Sequence, residues 1–416
     1  MPLRLLVLSN GHGEDRIALQ VIASLQRQRP QLPVCVLPLV GEGQAFAAAE
    51  ARGELQRVGP RQALPSGGFS NQSLRGLGQD LAAGMLGLGL RQWRWVQRWG
   101  RSGAPVLAVG DLLPLLLAWS SGAPFAFLGT PKSDYTWASA APPGWGQSRL
   151  ADGYHRCKGS EWDPWEWRLM GSRRCRLVAV RDPLTARGLR RHGIPAQAPG
   201  NPMLDGFEPT PLPHWLQGQR RLLLLPGSRL PEALTNADRL LAGLGAWGST
   251  EPTTVLLACG HQPLAATWGA LLEARGWRPC PLPPGAAAAG ARASWRQGPR
   301  LLLLGPGCFM AWAGWAEVGL ASAGTATEQL AGLGIPALSA PGPGPQFKAS
   351  FARRQSRLLG GAVQPCASAT ELATKLERLL ADGAWRRQLG RIGQRRMGPP
   401  GGSDHLAGLL LAQLLG

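Results

Sequence analysis

The chain has 416 residues, 44% of them hydrophobic, too many for one ordinary α/β domain and suited to two of about 200 residues each. Seven cysteines with no C-x-x-C spacing argue against a disulfide framework or a zinc ribbon and fit a reducing, cytoplasmic setting. The formal charge of +19 favours anionic partners, but no run of five basic residues and no zinc-finger or RNP-like pattern occurs, so nucleic acid is not expected.

The first apolar run, Leu3–Leu8, is too short for a signal segment, and no stretch reaches the length of a membrane span. With Val34–Val40, Val106–Val109, Phe125–Leu128 and Leu177–Val180 it forms a series of strands, apolar without alternation, as in a parallel sheet covered on both faces. Helical stretches such as Asp15–Arg27 between them give the rhythm of a doubly wound domain.

The first turn, Leu8-Ser9-Asn10-Gly11-His12-Gly13-Glu14-Asp15, passes from a strand into a helix. Gly11 and Gly13 let backbone approach a ligand, and the helix N-terminus favours an anion. His12 is a candidate general base, or else a polar surface residue. In the Trp- and Arg-rich end of segment 66–101, Arg91, Arg94, Arg98 and Arg101 share one helical sector, with Trp95, Val96 and Trp99 beside it. Such a helix either rests on an anionic lipid surface or packs its Trp residues on the sheet.

Asp111 ends a strand at the carboxyl edge, where it would orient or deprotonate an acceptor hydroxyl, or simply cap the next helix. Lys132, after the next strand, is a candidate contact for an acceptor phosphate. A first domain therefore spans 1–207, followed by the Pro-rich linker 208–218.

Strand-like runs then restart at Leu222–Leu225, Val255–Ala258, Leu301–Leu304, Val318–Ser322 and Pro336–Ser339, within a second domain at 219–398. Gly227, Ser228 and Arg229 follow its first strand, and the Arg fork matches phosphate oxygens. Gly324, Thr325, Ala326 and Thr327 follow a later strand and open a helix whose backbone N–H groups can meet a diphosphate. Glu328 or Gln329 would reach ribose hydroxyls, and Gln346 follows the last strand in a Pro/Gly loop. The tail, 399–416, is an apolar helix able to return to the first domain.

The PGSR at 226–229, the GTAT at 324–327 and the Gly200–Asp205 segment resemble the lipid-A-disaccharide synthase family, in the same order along most of the chain. The resemblance implies a GT-B fold, two Rossmann-like doubly wound domains facing a cleft. It implies a UDP-sugar donor held by the C-terminal domain, metal-independent transfer with inversion, and a lipid-linked acceptor met at the inner membrane face. Arg229 and the Gly324–Thr327 turn would then bind the diphosphate, Asp111 would match an acidic residue near the acceptor, and Asp15 the Asp of the first turn. Gln346 would stand where GT-B enzymes often read sugar hydroxyls, or else belong to a simple Pro/Gly loop. Counted back from Ile335-Pro336, the family's ribose-binding Glu falls on Gln329, with Glu328 one residue early, and His is common where Asn201 stands. The chain is thus expected to be a divergent branch. No cofactor beyond the sugar nucleotide and no metal is expected, since no D-x-D stands at a strand end. A UDP-sugar 2-epimerase and a non-catalytic sugar-nucleotide-binding protein are the alternative expectations.

Overall fold

Apolar runs bounded by Gly and Pro become the central strands of two sheets. In the computed structural model, residues 3–62, 84–146, 149–208, 210–227, 230–342 and 347–416 are described. The first sheet is built from β1 (Leu5–Ser9), β2 (Val34–Pro38), β3 (Gln56–Arg57), β4 (Val106–Gly110), β5 (Phe125–Gly129), β6 (Cys175–Val180) and β7 (Ala196–Gln197). Its order is β3-β2-β1-β4-β5-β6-β7, every pair parallel. Every residue of β1, β4 and β5 is buried, which is why these strands read as unbroken apolar runs.

The second sheet repeats the plan with β8 (Arg220–Leu225), β9 (Thr253–Cys259), β10 (Arg278–Pro279), β11 (Ala293–Gln297), β12 (Arg300–Pro306), β13 (Val318–Ala321), β14 (Ala337–Ser339) and β15 (Val363–Pro365). The order is β10-β11-β12-β9-β8-β13-β14-β15. From β12 to β15 the pairs are parallel, while β10 and β11 add an antiparallel edge. In each sheet the winding leaves the first strand in one direction and then reverses, at β1/β4 and at β8/β13. Ligands of open α/β sheets bind beyond the carboxyl ends of the strands at such a reversal.

The chain divides into two compact units, one made of Met1–Ala138, Ser148–Asp205 and Gly398–Gly416, the other of Ser139–Gln147 and Gly206–Met397. The final helix, Gly402–Gln413, lies on the first helix, His12–Gln28, and puts Leu406, Ala407 and Leu410 into the core of the first unit. Asp205 fixes its start, accepting from the N–H groups of Gly401 at 2.6 Å and Ser403 at 2.7 Å. A Cβ on Gly402 would meet the Asn201 nitrogen at 2.6 Å, so the Gly200–Asp205 segment is the seat of this helix.

In the helix Met85–Gly100, Val96 and Trp99 are buried, Trp95 is half-buried, and Trp99 donates to the Ala104 carbonyl at 3.2 Å. The Trp residues of the expected interfacial face therefore pack on the sheet. A different stripe, Leu86, Leu90 and Trp93, is exposed, and Arg91, Arg94 and Arg98 of the same helix are exposed as well. Among the described residues no helix is long and apolar enough to cross a membrane.

Candidate functional site

The reversal in the second sheet brings together the loops after β8 and β13. Ser322 N–H donates to the Leu225 carbonyl at 2.9 Å, and Asn236 reaches from the helix Glu232–Ala246 to tie both loops. Its side-chain amide donates to the carbonyls of Pro226 at 3.0 Å and Ser322 at 3.3 Å. Gly227 has φ of 96°, where a side chain would be strained, and its Cβ position lies 3.6 Å from the Ser322 carbonyl oxygen.

Gly324 stands at the N-terminus of the helix Thr325–Gly332 and offers no side-chain cap. The N–H groups of Thr327 and Glu328 turn back to the Gly324 carbonyl, both at 3.2 Å. Those of Thr325 and Ala326 belong to the first turn, which has no intrahelical acceptor for them. Two backbone donors at a helix N-terminus are able to meet an anion. Gln355, buried in the helix Ala349–Leu358, braces the start of the helix by donating to the carbonyls of Ala323 at 3.3 Å and Gly324 at 3.1 Å. Arg239 donates to the Asn236 side-chain oxygen at 3.0 Å and adds a cation beside the tie.

Some expected ligands take other places. The buried Thr327 hydroxyl donates to the Ala323 carbonyl at 2.7 Å, so this side chain serves its own helix. Glu328 and Gln329 are both half-buried in the first turns of that helix. Ser228, Arg229 and Gln346 lie outside the described residues.

In the first unit the reversal gathers carboxylates. Gly11, with φ of 91°, brings the first turn against β2's exit, where a Cβ would meet the Val40 carbonyl oxygen at 3.1 Å. Gly13 follows inside the helix His12–Gln28. Asp15 is buried and accepts from the Ser9 hydroxyl at 2.6 Å; burial pushes its carboxyl up to about 6. Asp111 accepts from the Asn10 amide at 2.9 Å and from the Leu113 N–H at 3.2 Å, so it caps the helix Leu112–Ser120. Its carboxyl is also raised by burial.

Glu14, not singled out by sequence, stands between these groups. Burial lifts its carboxyl to about 7, with repulsion from Asp111 and Asp15 adding to the rise. Its own backbone N–H and the Thr130 hydroxyl, at 3.3 Å, pull the other way. The His12 side chain is outside what the structure describes. Lys132 ion-pairs with the buried Glu166 at 2.5 Å and lies over the Trp162 ring, which occupies the cation proposed for a phosphate. Asn10, Glu14, Asn236 and Gln355 are the residues that sequence reading missed. Only the turn chemistry on either side of them pointed to the region.

No family model matches the chain, and no curated protein matches it. Solved structures do. Acinetobacter baumannii MurG matches at 16% identity and a TM-score of 0.55, covering 99% of this chain and 100% of that one. The Neisseria meningitidis UDP-GlcNAc 2-epimerase, solved with UDP-GlcNAc bound, matches at 13% identity and 0.56, covering 99% and 100%. The calicheamicin glycosyltransferase matches at 16% and 0.57, covering 100% and 99%. At such identities the likeness is one of architecture: the chain folds as two parallel-rich α/β domains of the GT-B type.

Proposed function

We propose that the protein is a UDP-sugar-dependent glycosyltransferase whose second unit holds the nucleotide diphosphate and whose acceptor is lipid-linked. The supporting observation is the pair of loops after β8 and β13, tied by Asn236 and flanked by the first-turn N–H groups of Thr325 and Ala326. Charge developing on the leaving diphosphate would be met there by fixed backbone donors and by Arg229. UDP at 100 times its Kd is expected to stabilise the protein by ~2.7 kcal/mol, and Arg229→Ala to lose most of that gain. Thermal melts with UDP, UDP-GlcNAc and UDP-glucose test this. Melts that no UDP compound moves would remove the donor site.

The carboxylates Glu14, Asp15 and Asp111 at one strand edge favour a second reading, a UDP-sugar 2-epimerase. Incubating the protein with UDP-GlcNAc alone and resolving the sugar products separates the two, since epimerisation needs no acceptor.

A membrane-facing role is supported by the first unit. The helix Met85–Gly100 packs beside the helix Leu112–Ser120, which packs beside the helix Pro164–Met170. They expose Leu86 at 73%, Leu116 at 43%, Trp165 at 56%, and also Leu90, Trp93, Leu113 and Trp119. Arg91, Arg94, Arg98, Arg101 and Arg168, in or just after these helices, are exposed as well, and exposed apolar and basic side chains on neighbouring helices suit the cytoplasmic face of an anionic bilayer. Leu90→Glu with Leu116→Glu is expected to lower sedimentation with phosphatidylglycerol vesicles at least tenfold, without shifting the thermal melt. Unchanged sedimentation would rule out this patch.

A further inference from the structure

The antiparallel edge of the second sheet carries a groove of about 630 Å³, within the ~300–1,000 Å³ of small-ligand sites. One wall is the helix Ala265–Ala274, which turns its smallest residues, Ala265, Ala266, Gly269 and Ala270, to the groove. The other is the chain leaving β10 and the start of β11, with Leu282 and Ala293. In the sheet order β11 stands three strands from β8, about 14 Å at ~4.8 Å per strand, so the groove is separate from the loops after β8 and β13.

Three polar groups of this apolar lining have no side-chain partner among the described residues. Trp295 is 5% exposed, and its indole N–H is buried without an acceptor. It lies under Gly269, where a Cβ would stand 3.5 Å from the Trp295 ring and 3.9 Å from its Nε1. The Glu273 carboxylate reaches back over the same glycine, its Oε1 3.6 Å from that Cβ position. Arg275 does not neutralise it, being held by Asp238 at 2.6 and 2.7 Å. Arg292 is exposed, with its backbone N–H pinned to the Leu304 carbonyl at 2.8 Å and its guanidinium unpaired. Cys280 and Ser294, by contrast, are bonded to each other, the Ser294 hydroxyl donating to the Cys280 carbonyl at 2.6 Å. A buried N–H without an acceptor is destabilising unless another molecule supplies one.

Strand register fixes where these groups stand. Ala293 lies opposite Leu304 and Gln297 opposite Arg300, so Arg292 is at the carboxyl end of β12. The helix Ala265–Ala274 starts from that same end, after the parallel β9, and places Glu273 toward the other. From Ala265 to Glu273 the helix rises ~12 Å, at ~1.5 Å per residue. The groove thus runs from a cation to a carboxylate, with the Trp295 N–H between them.

The geometry points to a binding site for a short apolar peptide, about three residues long and extended. Its terminal carboxylate meets Arg292, an internal carbonyl accepts from the Trp295 indole, and its ammonium meets Glu273. Its side chains lie against the alanine wall. At ~3.3–3.6 Å per residue an extended tripeptide covers most of the groove. A fatty acid would satisfy Arg292 and the walls but bring no donor to Glu273.

Titration calorimetry of the full chain with tri-leucine tests this. One peptide is expected to bind per chain, and N-acetylating or C-amidating it should each weaken binding at least tenfold. Glu273→Gln should erase the penalty for acetylation, and Arg292→Met the penalty for amidation. Gly269→Leu, whose side chain enters the groove, should abolish binding without lowering the thermal melt. Should that variant melt early, the exposed Glu273 and Arg292 variants decide. No binding of tri-leucine, or binding that neither of those two variants alters, overturns the site. Decanoate binding tighter than tri-leucine, and lost in Gly269→Leu, overturns the peptide assignment in favour of an anionic acyl chain.

Discussion

A chain ending at Met397 is expected to lose its first unit. The removed helix contributes Leu406, Ala407 and Leu410, followed by Leu414 and Leu415, all buried in the core beneath β1 and the helix His12–Gln28. Burial of one leucine side chain stabilises by about 1.5–3 kcal/mol, so four of them approach the ~5–15 kcal/mol that holds a whole domain together. The truncation also frees the Asp205 carboxylate and breaks the Arg27–Asp404 pair, but that pair is exposed and weighs little. Scanning calorimetry should lose one transition. Limited proteolysis should digest the first unit and leave a resistant fragment near 206–397. A truncated chain that keeps both transitions within a few degrees would show that the helix is dispensable. Leu410→Ala is the milder form of the same change, with an expected cost of about 2–5 kcal/mol.

Asn236→Leu is expected to damage both stability and nucleotide binding. Leucine keeps the volume but cannot donate, so the Pro226 and Ser322 carbonyls lose the amide that ties them, and Arg239 loses its acceptor. Leaving such groups unpaired in a buried place costs about 1–3 kcal/mol. The loops after β8 and β13 would then drift apart, and UDP affinity should fall at least tenfold, about 1.4 kcal/mol. Urea denaturation and titration calorimetry read the two effects separately. Weaker stability with unchanged UDP affinity would mean that the loops do not form the nucleotide site. Asn236→Asp, able to accept but not to donate while ionised, should behave similarly.

The central strands were legible because both faces are covered, which leaves unbroken runs such as Val106–Val109 and Leu222–Leu225. Edge strands were not. β3, β7 and β10 have two residues each, too few for any period, and β11 mixes buried Trp295 with exposed Arg296. The helix Met85–Gly100 left two readings open because it is apolar on two sides: Leu88, Val96 and Trp99 face the core, while Leu86, Leu90 and Trp93 face outward. A helical wheel finds both stripes and cannot say which one the sheet covers. At the sites, the Gly-containing turns marked where backbone must bend. What lies across them came from contacts between distant residues. Asn236 is 86 positions from Ser322, and Asn10 is 101 from Asp111, separations over which no local pattern operates. The Glu14 environment likewise depends on β4 and β5 arriving beside β1.

The first unit begins with residue 5 of the chain in its central strand and closes with a helix near residue 413. During synthesis its last wall leaves the ribosome only after the whole second unit has emerged. The later-made unit can therefore settle first, while the earlier-made one waits with an open flank of apolar residues. Nascent chains stalled before Gly402 should bind holdase chaperones through that flank, and release them once the final helix is made.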